Sequence, residues 1–218
     1  MLPNENESGI AEGVVMFNLR ANLAYLAGMR PYLVMAVMLF FAGVIVGGTN
    51  PSLRDFLDSQ LAGLAELSKM AESAGNPGLA VFLIIFFNNA IKSALVMYMG
   101  ALFGFIPVVF LIVNGMVLGY LYTRIGEQGE NAALIFLKGV LPHGILEIPA
   151  VLLACAFGMK FGGLVFRTLG ALFKRRSGLA DEYEAFVIRS VPALLVIVAA
   201  LLAAALIEST VTVWLISL

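Results

Sequence analysis

Hydrophobic residues in this chain fall into five long runs: 31–48 ("PYLVMAVMLFFAGVIVGG"), 79–101, 105–123, 132–160 and 190–208. About 20 consecutive apolar residues in a helix cross the roughly 30 Å hydrocarbon core of a bilayer, so each run predicts a transmembrane helix. The first run opens on Pro31, which suits the first turn of a helix. Between the second and third runs the chain reads "MGALFGFIP". Gly100, Gly104 and Pro107 there predict a tight turn, with one bent helix as the alternative.

Two connecting segments carry a helical rather than a continuous pattern. After "TNPS", Leu53, Phe56, Leu57, Leu61, Leu64, Leu67 and Met70 recur at helical spacing, interleaved with Arg54, Asp55, Asp58, Glu66, Lys69 and Glu72. This predicts an amphipathic helix over 52–74. Ser52 followed by Asp55 supplies a cap-like start, and "GNPG" at 75–78 ends the helix. It lies along the outer interface or covers the bundle. In 160–176, Lys160, Arg167 and Lys174 repeat every seven residues beside Phe161, Leu164 and Phe173. That predicts a basic helix on the anionic inner leaflet.

Composition sharpens the class. Hydrophobic residues are 61% and charged residues 12% of the chain, against about 45–50% and about 25% in soluble domains. The chain is therefore read as an integral membrane protein of the all-α class, with the lipid bilayer as its first partner. A net charge of −1 gives no reason to expect a nucleic-acid partner. Cys155, the single cysteine, excludes an internal disulfide and a thiolate cluster. The N-terminus ("MLPNENES") lacks the basic start of a signal peptide, so residues 1–30 are expected to be retained as a cytoplasmic segment.

Lys160, Arg167, Lys174, Arg175 and Arg176 crowd the fourth link, and Arg20 and Arg30 precede the first crossing. With five crossings both regions lie on one side, which the positive-inside rule makes the cytoplasm. The C-terminus then lies outside, and residues 31–218 form one transmembrane domain. Trp214 reads as an interfacial anchor.

Three crossings carry polar groups that are costly in hydrocarbon. The second has "FFNNAIKSAL", with Asn88, Asn89 and Lys92, and the third "LIVNGMVLGY", with Asn114 beside Gly115 and Gly119. The fourth has "VLPHGILEIPA", with Pro142, His143, Gly144, Glu147 and Pro149. A charge at the bilayer centre costs about 2.5–3.5 kcal/mol on insertion scales. Lys92 and Glu147 are therefore expected to face the bundle interior, a wet cavity or an interface, with snorkelling as the alternative for Lys92. Asn88 and Lys92, four apart, share a helix face. Pro142 lacks an amide hydrogen and clashes with the preceding turn, so the fourth crossing is expected to break there. The halves would be about 131–140 and 143–160, with Pro149 prolonging the irregular region. His143 and Glu147 would point the same way, and Asn88, Asn89 and Asn114 would satisfy the freed backbone. The pairs Gly43/Gly47, Gly100/Gly104, Gly115/Gly119 and Gly158/Gly162 mark close helix packing or a subunit contact.

Two readings of the polar centre stay open. Either hydrogen bonds among Asn, His, Glu and Lys lock the helices, or the centre is a binding or permeation site, because ionisable residues inside membranes and broken helices mark such sites. A zinc protease would need a second histidine in HExxH spacing, and His143 is the only one. Metal held by one His, one Glu and amide oxygens has less support. No catalytic residue, metal or cofactor is expected.

The residues over 80–162, "FNNAIKSALVMYMGALFGFIPVVFLIVNGMVLGY" followed by "LPHGILEIPAVLLACAFGMKFG", resemble the stage II sporulation protein M family of small bacterial and archaeal membrane proteins. The paired asparagines, the NG-x-x-x-G helix and the PHG-x-x-E-x-P segment carry the likeness together. It implies a five-span bundle with an important polar centre at Asn88, Asn89, Asn114, His143 and Glu147. In spore-formers the family name implies the anchor of a cell-wall-degrading engulfment complex. The expected function is accordingly a non-enzymatic membrane scaffold, a homodimer with membrane or extracytoplasmic protein partners. The rival is a channel or transporter for an ion or small solute passing His143 and Glu147.

Overall fold

The computed structural model describes residues 16–174 and 179–217, and within them every regular element is a helix. The start of the N-terminal segment (1–15) and Arg175 and Arg176 of the basic link lie outside the described residues. The elements are α1 (Leu19–Gly28), α2 (Arg30–Thr49), a 3₁₀ turn (Pro51–Leu53), α3 (Arg54–Glu72), α4 (Pro77–Met99), α5 (Phe105–Glu127), α6 (Ala132–Gly139), α7 (Leu141–Lys174), α8 (Leu179–Ile207), a π turn (Glu208–Thr212) and α9 (Val213–Ser217). Among the described residues, five stretches are long and apolar enough to cross a membrane: Arg30–Thr49, Pro77–Met99, Phe105–Glu127, Leu141–Ala171 and Leu179–Ile216.

Asparagine side chains start four of these elements. Asn18, Asn50, Asn76 and Asn131 each accept a hydrogen bond from a backbone amide of the first turn, at 3.0–3.2 Å, which satisfies donors that the helix leaves free. In "NP" at 50–51 and 76–77 the capping residue is followed by a proline in the first turn, where its missing amide costs nothing. The cap before α3 is therefore Asn50, not Ser52, and "GNPG" starts α4 as much as it ends α3.

Glycines set which helices touch. Gly43 and Gly47 on α2 face Ile112 and Met116 of α5, and Gly115 and Gly119 on α5 face Phe40 and Val44 of α2; a Cβ at any of the four would overlap that backbone. The turn between α4 and α5 meets α7 in the same way, Gly100 against Gly158 and Gly162 against Gly104. Gly104 has φ +74°, a conformation that glycine adopts without penalty. All four glycine pairs thus pack within one chain. A turn, not a bent helix, joins the second and third crossings.

The last two crossings differ from expectation in length. Helix α7 runs unbroken from Leu141 to Lys174, so 160–174 continues it instead of forming a separate interfacial helix. At 1.5 Å per residue α7 is about 51 Å long, well beyond the hydrocarbon thickness. Helix α8 starts at Leu179 and not near 190. The two project together beyond the bilayer core and are joined by a bidentate Arg167–Glu182 pair, at 3.0 and 2.6 Å, and by Thr168–Tyr183 at 2.9 Å. Helix α1 docks on this end: the Tyr25 ring lies 5.9 Å from that of Phe157, Lys160 Nζ sits 3.5 Å above it, and Arg189 donates to Asn22. Burial first, then the charge of Glu182, pushes the Tyr25 hydroxyl up to about 12, so it stays neutral.

At the opposite end α3 lies across the bundle. Leu57 is fully buried against Met116 and Tyr120 of α5. Asp58 accepts from Tyr120 at 2.9 Å, and Arg54 pairs with Glu127. Asp55, Glu66 and Lys69 are exposed on the outer face. Trp214, near the chain end, is also exposed.

Candidate functional site

The fourth crossing is interrupted at Val140, two residues before Pro142. The interruption is a kink with little unsatisfied backbone: Val140 N donates to Phe136 O and Gly144 N to Val140 O, each at 2.9 Å. Pro142 occupies the first turn of α7, where its ring is tolerated. Pro149 does not prolong the irregularity. It lies inside a continuous α7, where its missing amide removes a single ladder bond.

Because α7 starts at Leu141, His143 and Glu147 stand one turn apart on one face, with His143 Nε2 4.0 Å from Glu147 Oε2. They line a cavity of about 560 Å³ bordered by α2, α3, α4, α5, the end of α6, α7, the π turn and the start of α9. Asn88 and Asn89 of α4 line it too. Asn88 Nδ2 donates to Asn89 Oδ1 at 3.3 Å, and Asn89 Nδ2 donates to Glu147 Oε1 at 2.9 Å. The carboxamides therefore hold each other and the acid instead of repairing a broken backbone.

The remaining expected residues divide. Asn114 lines the cavity, but its Nδ2 donates to Phe110 O on its own helix at 2.7 Å. Lys92 is exposed on the outer surface of α4 and does not line the cavity. Gly144 lines it with room to spare, since an added Cβ would meet only side-chain methyls at 3.6–3.7 Å. Gly100, Gly104, Gly115 and Gly119 act away from the cavity, at the helix contacts already described.

Two participants escape the sequence reading. Glu208 and Thr212 sit at the ends of the π turn that interrupts the last crossing. His143 Nδ1 lies 3.4 Å from Thr212 Oγ1. One ligand-type atom from each of His143, Glu147 and Glu208 falls within 4.8 Å of the others. A π turn rotates less per residue than an α turn and is frequent at functional sites; here it brings positions 208 and 212 to the same side. The available signal was an acid with eight further apolar-rich residues after it ("STVTVWLI"), which places Glu208 inside a crossing and not at its end.

The cavity-lining positions gather toward α3: two on α3 itself, the first half of α4, the middle and second half of α5, the end of α6, the start of α7 and the end of the last crossing, with Phe40 at the middle of α2. The other half is filled. Phe157 and Phe186 are buried, the rings of Phe161 and Phe186 stack at 4.7 Å, and Met97, Met159 and Leu164 close the space between them. A second recess of about 540 Å³, lined by Tyr122, Phe136, Ile145 and Pro149 among others, is almost wholly apolar.

The family described as stage II sporulation protein M matches residues 32–213. An uncharacterized protein of Methanocaldococcus jannaschii is 28% identical over 135 residues, which are 62% of this chain and 56% of that protein, so the match spans little more than half of the relative's length. No solved structure matches the chain. With 32–213 covered, including all five crossings and the polar centre, the chain belongs to the stage II sporulation protein M family.

Proposed function

We propose that this membrane protein is a carrier for a small cationic or polar solute, which it binds around His143 and Glu147. The observation that carries the reading is the one-sided cavity around the polar centre. A pure scaffold needs a dry centre, whereas about 560 Å³ lined by two asparagines facing inward, a histidine and two glutamates is a ligand-sized space. The filled half below it suits a carrier that opens to one side at a time better than an open pore. Lys160 and Arg167 lie at the α1 end, so the positive-inside rule puts that end and the N-terminal segment in the cytoplasm. The cavity and the C-terminus then face outward.

The test is flux into proteoliposomes containing the wild type or a Glu147→Gln variant, screened over monovalent and divalent cations and small polar solutes. Uptake of one solute class by the wild type, reduced to the level of empty vesicles by Glu147→Gln, is expected. Equal rates for both proteins, or no uptake of any solute, would remove the carrier reading. The scaffold reading keeps one specific support, the exposed charged face of α3. It predicts that partners cross-linked in the native membrane are lost when Asp55, Glu66 and Lys69 are replaced by alanine.

A further inference from the structure

We infer that His143, Glu147 and Glu208 bind one divalent first-row transition-metal cation of the zinc or manganese class. The inference deepens the carrier reading and rests on it, by naming the class of solute.

The first observation is convergence. An imidazole and two carboxylates, drawn from α7 and from the π turn after α8, bring one donor atom each within 4.8 Å of the others inside the polar cavity. Tetrahedral ligands about 2.1 Å from zinc stand about 3.4 Å apart, so loading draws these atoms together by about an ångström. Glutamate side chains cover that distance by rotation.

The second is the shell around them. Glu147 Oε1 accepts from Asn89, which leaves Oε2 turned toward His143. On the other side of the imidazole, Nδ1 faces Thr212 Oγ1 at 3.4 Å. With Nδ1 carrying the hydrogen, Nε2 presents its lone pair to the same point as Oε2. Metal sites are built this way, with the non-coordinating atom of a ligand held by an outer-shell partner, and two of the three ligands have one here. The Glu208 carboxylate forms no hydrogen bond or ion pair among the described residues, and no Lys or Arg pairs with Glu147 or Glu208 there. The third observation is charge. Two carboxylates and a neutral imidazole balance a dication within the bundle, where no cationic side chain does so. Imidazole in the set favours transition metals over magnesium and calcium, which prefer all-oxygen cages.

The experiment uses the full chain purified in detergent, stripped with chelator, loaded with Zn²⁺ or Mn²⁺, desalted and assayed for metal per chain. The wild type should retain about one metal per chain. Glu208→Gln should bind more weakly by over 100-fold, beyond the roughly 10–100-fold that an outer-shell change costs. Glu66→Gln, the same change at an exposed carboxylate of α3 that does not line the cavity, should bind as the wild type does. Because a variant can lose metal by failing to fold, X-ray absorption of the zinc-loaded wild type supplies an independent readout, expected to show one imidazole among oxygen ligands. Retention far below one metal per chain, a spectrum without imidazole, or unaltered binding by Glu208→Gln overturns the inference. Metal bound in this way without flux would uphold the site and defeat the carrier function. Uptake of another solute that depends on Glu147, with no metal bound, would do the reverse.

Discussion

The two ends of the bundle are made from the same helices, yet one is filled and the other hollow. At the α1 end, Phe157, Phe161 and Phe186 fill the space between α7 and α8, and Tyr25 reaches in from α1. At the α3 end the same two crossings are interrupted, by the kink before Leu141 and by the π turn after Ile207. The gap between them holds the polar centre within an otherwise apolar lining, and α3 lies across it. Close helix contact does not explain the contrast, because each end has its own glycine clamp: α2 on α5, and the α4–α5 turn on α7. What differs is side-chain volume inside the clamps. Among the described residues, the break at Val140 and the π turn both fall at the hollow end, where they aim side chains into the cavity instead of letting large apolar groups interdigitate.

The largest effect should come from the clamps themselves. A Cβ at Gly119 would lie 2.8–3.0 Å from the Val44 carbonyl carbon and Cα. Because the obstacle is backbone, Gly119→Leu should exceed the roughly 1–3 kcal/mol of ordinary overpacking. Gly158→Leu meets the Val96 carbonyl and Pro107 in the same way. Neither variant should give a monodisperse peak in size-exclusion chromatography of detergent extracts. If Gly119→Leu alone behaved like the wild type, the hollow end would be loosely held as well as hollow, and the equality of the two clamps would be lost.

A smaller, graded effect separates the interiors. Phe157 is 1% exposed, and Phe157→Ala should cost about 3–5 kcal/mol, transfer loss plus a new cavity. Ile85 is half-buried and faces space that exists already. Ile85→Ala should cost about 1 kcal/mol, since little new cavity forms. Reversible unfolding in mixed micelles measures both. Similar losses would mean that the cavity end is as tightly packed as the other.

How much of this was legible in the sequence follows from how local each signal is. The five crossings and α3 were readable because hydropathy and its period are properties of contiguous residues. The polar centre was readable because His143 and Glu147 are anomalous in an apolar run and share a face by spacing alone. Glu208 was not, because its place beside them depends on how α8 packs against α7, and the neighbouring Ser209 and Thr210 make it resemble an interfacial residue. Asn114 was assigned to the right surface, but its rotamer turns the amide back to its own helix. Four residues advance a helix about 40° beyond a full turn, enough to carry Lys92 outward while Asn88 stays at the cavity. The lengths of α7 and α8 were hidden because their extensions are held by pairing with each other, Arg167 with Glu182 above all.

The smallest effect bears most directly on what the hollow end is for. Asn89 bridges Asn88 and Glu147, and one polar bond between membrane helices contributes on average about 0.6 kcal/mol, with about 1.7 at the upper end. If the polar centre is a binding site whose fold is secured by the glycine clamps and the aromatic end, Asn89→Leu should lower unfolding stability by no more than that amount. Solute binding in the cavity should nevertheless fall, because Glu147 loses the donor that orients it. If the centre is instead the lock that holds the crossings together, the same substitution leaves a carboxylate unpartnered among helices and should destabilise the protein as much as Phe157→Ala does. Unfolding of Asn89→Leu beside Phe157→Ala in the same micelles decides between them. A hollow end that tolerates the loss of its central hydrogen bond is built around a ligand, and one that collapses is built around itself.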